Sequence, residues 1–76
     1  MVMAAKDSMS LQQFQNLIEW HGGTAFPHPE GGIEVTLSQR LGQRWGMGNS
    51  HRMEDLDESH PVVQKVLEES KKEGLL

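Results

Sequence analysis

The chain has no cysteine, which excludes disulfides and every thiolate metal site. It has no apolar run near the ~18 residues a membrane span requires, and residues 1–7 offer no apolar stretch of the signal-peptide kind. It has no basic excess either: seven Lys and Arg stand against eleven Asp and Glu, a net charge of −4. A domain that grips nucleic acid through its overall field has a pI above about 9, whereas this chain's is 5.4. These absences lead to the expectation of a cysteine-free, cytoplasmic protein that stays off membranes and is disfavoured by its net charge as a nucleic-acid binder.

Length sets the next bound. Seventy-six residues make one domain, and a chain this short buries only about 60–65% of the surface its unfolded form exposes. Small domains supplement such cores with disulfides, metals or oligomerisation. With the first closed, a homo-oligomer is expected, joined through an edge strand or the C-terminal helix.

The elements read in order. Residues 1–8 are expected to be a mobile N-terminal arm, with residues 9–76 the folded domain. Ser10-Leu11-Gln12-Gln13 matches a capping box. Leu11, Phe14, Leu17, Ile18 and His21 follow helical spacing, and Gly22-Gly23 supplies a stop. The pattern predicts a helix over 11–21, with Met9 and Phe14 as a hydrophobic staple. Ile33-Glu34-Val35-Thr36-Leu37 alternates with period two and reads as a strand, paired across a Pro- and Gly-rich turn with one at 24–27. Phe26 is then expected to join Ile33, Val35 and Leu37 on the face the first helix covers.

Residues 38–53 allow two readings. Leu37, Leu41 and Trp45 suit either an alternating strand or a short helix, and Gly42 and Gly46 weaken both. A third strand over 40–46 is the preferred reading. The acidic Asp57 and Glu58, a capping Ser59 and an early Pro61 then mark the start of a helix over 61–73, with Val62, Val63, Val66 and Leu67 as its apolar stripe. No internal repeat stands out. The sum is a small α+β domain: N-terminal helix, two- or three-stranded antiparallel sheet, C-terminal helix. Its expected core is Leu11, Phe14, Leu17, Ile18, Phe26, Ile33, Val35, Leu37, Val63, Val66 and Leu67.

Chemistry-bearing motifs are sparse. Histidines stand at 21, 28, 51 and 60, none of them three or four residues apart, so no metal site is expected. Ser38, Ser50 and Ser59 lie in no nucleophile elbow. The glycines around Met47 match no phosphate loop. The carboxylates Glu54, Asp55, Asp57 and Glu58 form an exposed run ahead of a helix, suited to solubility and the helix dipole. No catalytic activity and no cofactor are expected.

Charge segregation carries the most content. Residues 35–53 hold no acidic side chain and three arginines, with Trp45 among them, while all eleven acids lie outside. Arg with an aromatic suits a protein interface or a nucleic-acid backbone with stackable bases. Structural use is the third reading, with Trp45 in the core and the arginines paired with the acidic 54–58 cluster or with the first helix. The expectation is a non-catalytic protein-interaction or regulatory module, with Arg40, Arg44, Trp45 and Arg52 as partner-binding residues. The alternative is a nucleic-acid-binding accessory protein using segment 40–52.

Overall fold

The computed structural model describes residues 9–76. Helix α1 (Leu11–His21) starts where the Ser10 side chain accepts from the Gln13 amide at 3.1 Å, and stops at Gly22, whose φ of 112° is left-handed. Strands β1 (Gly23–Pro27), β2 (Ile33–Leu37) and β3 (Ser50–Met53) form one antiparallel sheet in that order. Helix α2 (Gln39–Trp45) lies between β2 and β3, and α3 (Pro61–Lys72) follows β3. The domain is therefore α+β, with N- and C-terminal helices and a three-stranded sheet. The expected arm over 1–8 falls outside the described residues. No helix among the described residues is long and apolar enough to cross a membrane.

The third strand is at 50–53, and the segment expected to form it, 40–46, is helical. The residues explain why. A strand that buries Leu41 and Trp45 also turns Gln43 inward, because side chains alternate with period two. A helix puts Leu41 and Trp45 on one stripe and leaves Gln39, Arg40, Gln43 and Arg44 in solvent. Ser38 caps the start, its hydroxyl accepting from the Leu41 amide at 3.1 Å. Gly46, at φ 68°, closes the end: its own amide donates to Gln43 and that of Met47 donates to Gly42 at 2.9 Å. Gly42 is the other required glycine, since a β-carbon there would stand 2.9 Å from the Met47 carbonyl oxygen as residues 47–49 cross back over the helix.

Register decides the sheet's two faces. Ala25 pairs with Val35 and Phe26 with Glu34. Ala25, Val35, Leu37 and Met53 consequently face the helices and are buried, whereas Phe26 is 56% exposed beside Glu34 and Arg52 on the open face. Phe26 thus does not join the core as expected; the connection over 28–32 sets a pairing that places Ala25 there instead. Leu11, Ile33 and Leu67 are half-buried at the margin. The core proper is Phe14, Leu17, Ile18, Ala25, Val35, Leu37, Leu41, Trp45, Met53, Val62, Val63 and Val66. Leu41, Trp45 and Val62 enter it from positions the sequence pattern left open or at a stripe's edge.

Outer strand β1 is blunted in part against further pairing. The amides of His28 and Ser38 donate across the hairpin to Gly32 and Gly22, so alternation turns the backbone groups of Gly23, Ala25 and Pro27 toward the free edge. There the Gln15 side chain donates to the Ala25 carbonyl at 2.7 Å. Pro27 has no N–H to offer. Of the groups that face this edge, the Ala25 carbonyl is thus taken and Pro27 offers no donor, while Gly23 keeps both its own.

Candidate functional site

The four residues singled out by charge and aromaticity do not form one patch. Arg40 and Arg44 lie one turn apart on α2, both exposed. Trp45 is only 8% exposed and packs in the core with its ring centroid 5.5 Å from that of His21, leaving Trp20, at 64%, as the exposed tryptophan. The Trp45 indole N–H is buried without an acceptor among the described residues. Arg52 stands opposite Glu34 on β3, next to the terminal pair Ile33–Met53, while α2 leaves from the other end of the sheet after Leu37. Its guanidinium donates to the Gly31 carbonyl at 2.9 Å and lies 3.9 Å from Glu30, bracing the hairpin turn. The carboxylate nearest to Arg52 is therefore Glu30, and not one of the 54–58 cluster or of the first helix.

Two residues missing from the expected set complete the α2 face. Gln39 and Gln43 are exposed beside the arginines. The sequence signal is a repeat too short to be a structural unit by itself, Gln39-Arg40-Leu41-Gly42 followed by Gln43-Arg44-Trp45-Gly46. On a helix, a four-residue period stacks like on like. Glutamines form one stripe, arginines the next, and Leu41 with Trp45 the buried one. Between the glutamines and residues 46–49 runs an open groove of about 430 Å³, lined by carboxamides, glycines and Met47 and by no ionised group. Asn49 is held in place there, donating to the Leu37 carbonyl at 3.1 Å.

Electrostatics sets this face apart. Arg52 lies near Glu30, Lys65 between Glu68 and Glu69, and Lys72 against Glu69 at 3.2 Å. The Glu69 carboxylate holds the Lys65 ammonium above its usual pKa, and Lys72 and Lys65 in turn hold Glu69 below its own. Among the described residues, Arg40 and Arg44 have no carboxylate within ion-pair distance. Neither has Lys71.

The histidines are occupied locally. His28 Nδ1 accepts from the Glu30 amide at 3.0 Å, His51 Nε2 is 2.7 Å from the Gly48 carbonyl, and His60 Nδ1 caps α3 by accepting from the Val62 amide at 3.2 Å. The cap of α3 is therefore His60; Ser59 instead donates its amide to Asp57, whose carboxyl this bond and the Ser59 hydroxyl hold below the usual range. Among the described residues no three His, Asp or Glu side chains converge as metal ligands.

One constellation resembles catalytic machinery. His21 Nε2 lies 3.1 Å from Ser70 Oγ, and Glu73 Oε2 lies 3.7 Å from His21 Nδ1. The order serine–imidazole–carboxylate is that of an acyl-transfer triad. Ser70, however, is completely buried and the His21 side chain is 2% exposed, so a substrate has no path to the hydroxyl. The trio reads as a clamp between the C-terminal turns of α1 and α3. Glu73 tightens it by accepting from the Trp20 indole at 2.9 Å.

No protein-family model, curated protein or solved structure matches the chain.

Proposed function

We propose that this protein is a small non-catalytic interaction module that recognises an acidic segment of a partner protein on the exposed face of α2. The observation that carries this reading is the paired Arg40 and Arg44, flanked by Gln39 and Gln43, on a helix fixed at both ends and with no carboxylate at hand among the described residues. Arginine forks bind carboxylates through two parallel hydrogen bonds. The carboxamides of Gln39 and Gln43 each offer donors and an acceptor, which suits the peptide groups of an extended chain. Burial of Leu41 and Trp45 holds the helix in place, so little ordering cost falls on binding from this side.

Charge arithmetic favours protein over nucleic acid as the partner. Affinity for a phosphate backbone grows with the number of phosphates neutralised, and α2 contributes two guanidiniums to a chain of net charge −4. Arg52, the third cation of the segment, is committed to the hairpin turn.

Fluorescence anisotropy separates the two readings. A labelled Glu- and Asp-rich peptide and a labelled oligothymidylate are each titrated at low and physiological salt, with the wild type and with Arg40→Ala/Arg44→Ala. The expected result is peptide binding that the double variant weakens about tenfold or more, a change of about 1.4 kcal/mol, with weaker oligonucleotide binding. Oligonucleotide binding stronger than peptide binding and lost in the double variant transfers the surface to nucleic acid. Binding to neither probe at low salt overturns the reading.

A further inference from the structure

We propose that the acidic segment received by α2 belongs to a second copy of this chain: residues 54–58 of one protomer dock on the Arg40 and Arg44 face of its partner. This deepens the reading of α2 as an acid-recognising surface and rests on it.

Complementarity is the first support. Glu54, Asp55, Asp57 and Glu58 are all exposed and, among the described residues, none lies within ion-pair distance of a Lys or Arg. The segment has a defined shape: the Ser59 amide donates to the Asp57 carboxylate at 2.9 Å, and the His60 amide to the Asp57 carbonyl at 2.9 Å. Among the described residues, an arginine pair and a carboxylate run thus stand on the same molecule, neither meeting an opposite charge in an ion pair.

Topology shows why they stay apart within one chain and can meet across two. Helix α2 leaves the sheet after Leu37, whereas the acidic segment follows Met53, which pairs with Ile33 at the far end of β2. The five residues of β2 set those ends about 13 Å apart. Two copies related by a two-fold axis across the strands bring the arginine end of each beside the acidic end of the other. Every contact is then made twice, which is the geometry of an isologous dimer. Because the groups are exposed, the contact weakens with salt.

Sedimentation equilibrium on the full chain tests this, across protein concentration at low and high salt. The proteins are the wild type, Arg40→Glu/Arg44→Glu, Glu54→Lys/Asp55→Lys/Glu58→Lys, and an equal mixture of the two variants. Asp57 is left alone because it shapes the loop. The wild type is expected to dimerise at low salt and dissociate at high salt. Each variant alone is expected to be monomeric. Their mixture is expected to dimerise again, since reversed α2 meets reversed loop and native α2 meets native loop. A wild type that is monomeric throughout overturns the proposal whether or not the variants fold. So does an Arg40→Glu/Arg44→Glu protein that still dimerises, or a mixture of folded variants that stays monomeric. If the wild type is monomeric yet binds the acidic peptide through its arginines, the second copy is the wrong occupant and the reading of α2 stands. If peptide binding fails too, both fall.

Discussion

At the scale of single residues, Ser70 and His21 occupy positions where helical stripes call for apolar side chains. Ser70 follows Val66 by four residues on α3, and His21 follows Leu17 by four on α1. Each is tolerated because the other is there, 3.1 Å away. Replacing Ser70 by Ala leaves the imidazole nitrogen buried and unpaired, at a cost of about 1–3 kcal/mol, and urea unfolding should show that loss. A Ser70→Ala protein as stable as the wild type contradicts the clamp. The tryptophans give an optical check. With Trp20→Phe, the remaining Trp45 should emit at short wavelength and resist acrylamide, while Trp45→Phe should leave a solvent-like, readily quenched Trp20. At Asp57 the folded-state pKa is lowered, so its contribution is present above the usual carboxylate range near pH 4 and lost as pH falls through the depressed value. Asp57→Asn, which keeps an acceptor but does not titrate, should flatten the acid limb of a stability–pH curve. The polar clamp could have been found in the sequence by asking which polar residues interrupt two apolar stripes at matching ends. Sequence alone does not say that the two ends meet.

Among the elements, α1, β2 and α3 were legible because cap, period and stop agree within each. Helix α2 was not, because its repeat is four residues long and two of every eight positions are glycine. Glycine reads as a helix breaker when neighbours are unknown, and here both glycines answer to neighbours. Gly42→Ala raises intrinsic helix propensity by up to about 1 kcal/mol, yet its β-carbon would stand 2.9 Å from the Met47 carbonyl. The melting temperature should therefore fall, and a rise contradicts the crossing of residues 47–49 over α2. Gly46→Ala meets open space but a left-handed backbone, and should cost about 1–2 kcal/mol. Strand β1 was legible in place but not in facing, because the side Phe26 takes depends on the register set by the turn over 28–32. Phe26→Thr should change stability by less than about 0.5 kcal/mol, whereas Val35→Ala, at a fully buried position, should cost well over 1 kcal/mol. Equal losses at the two positions contradict the register.

At the scale of the whole molecule, three helices and a three-stranded sheet among the described residues share one core, and the pair Arg40 and Arg44 stands apart from the carboxylates that the other arginine and two of the lysines meet. The absence of acids over 35–53 was visible in the sequence; which of its members reach solvent was not. Trp45 serves the core and Arg52 the hairpin turn, so the candidate site contracts to α2 and extends sideways to Gln39 and Gln43. Helix α2 is short and would be unstable alone; packing of Leu41 and Trp45 is what makes its outer face a fixed surface. That surface is the central claim, and mapping of backbone amide and arginine side-chain NMR signals tests it most directly. On titration with an acidic peptide, the signals of residues 39–45 and the Arg40 and Arg44 side chains should shift together, saturate, and return as salt is raised. Shifts confined to the open face of the sheet, around Phe26, Glu34 and Arg52, or none at low salt, would contradict it.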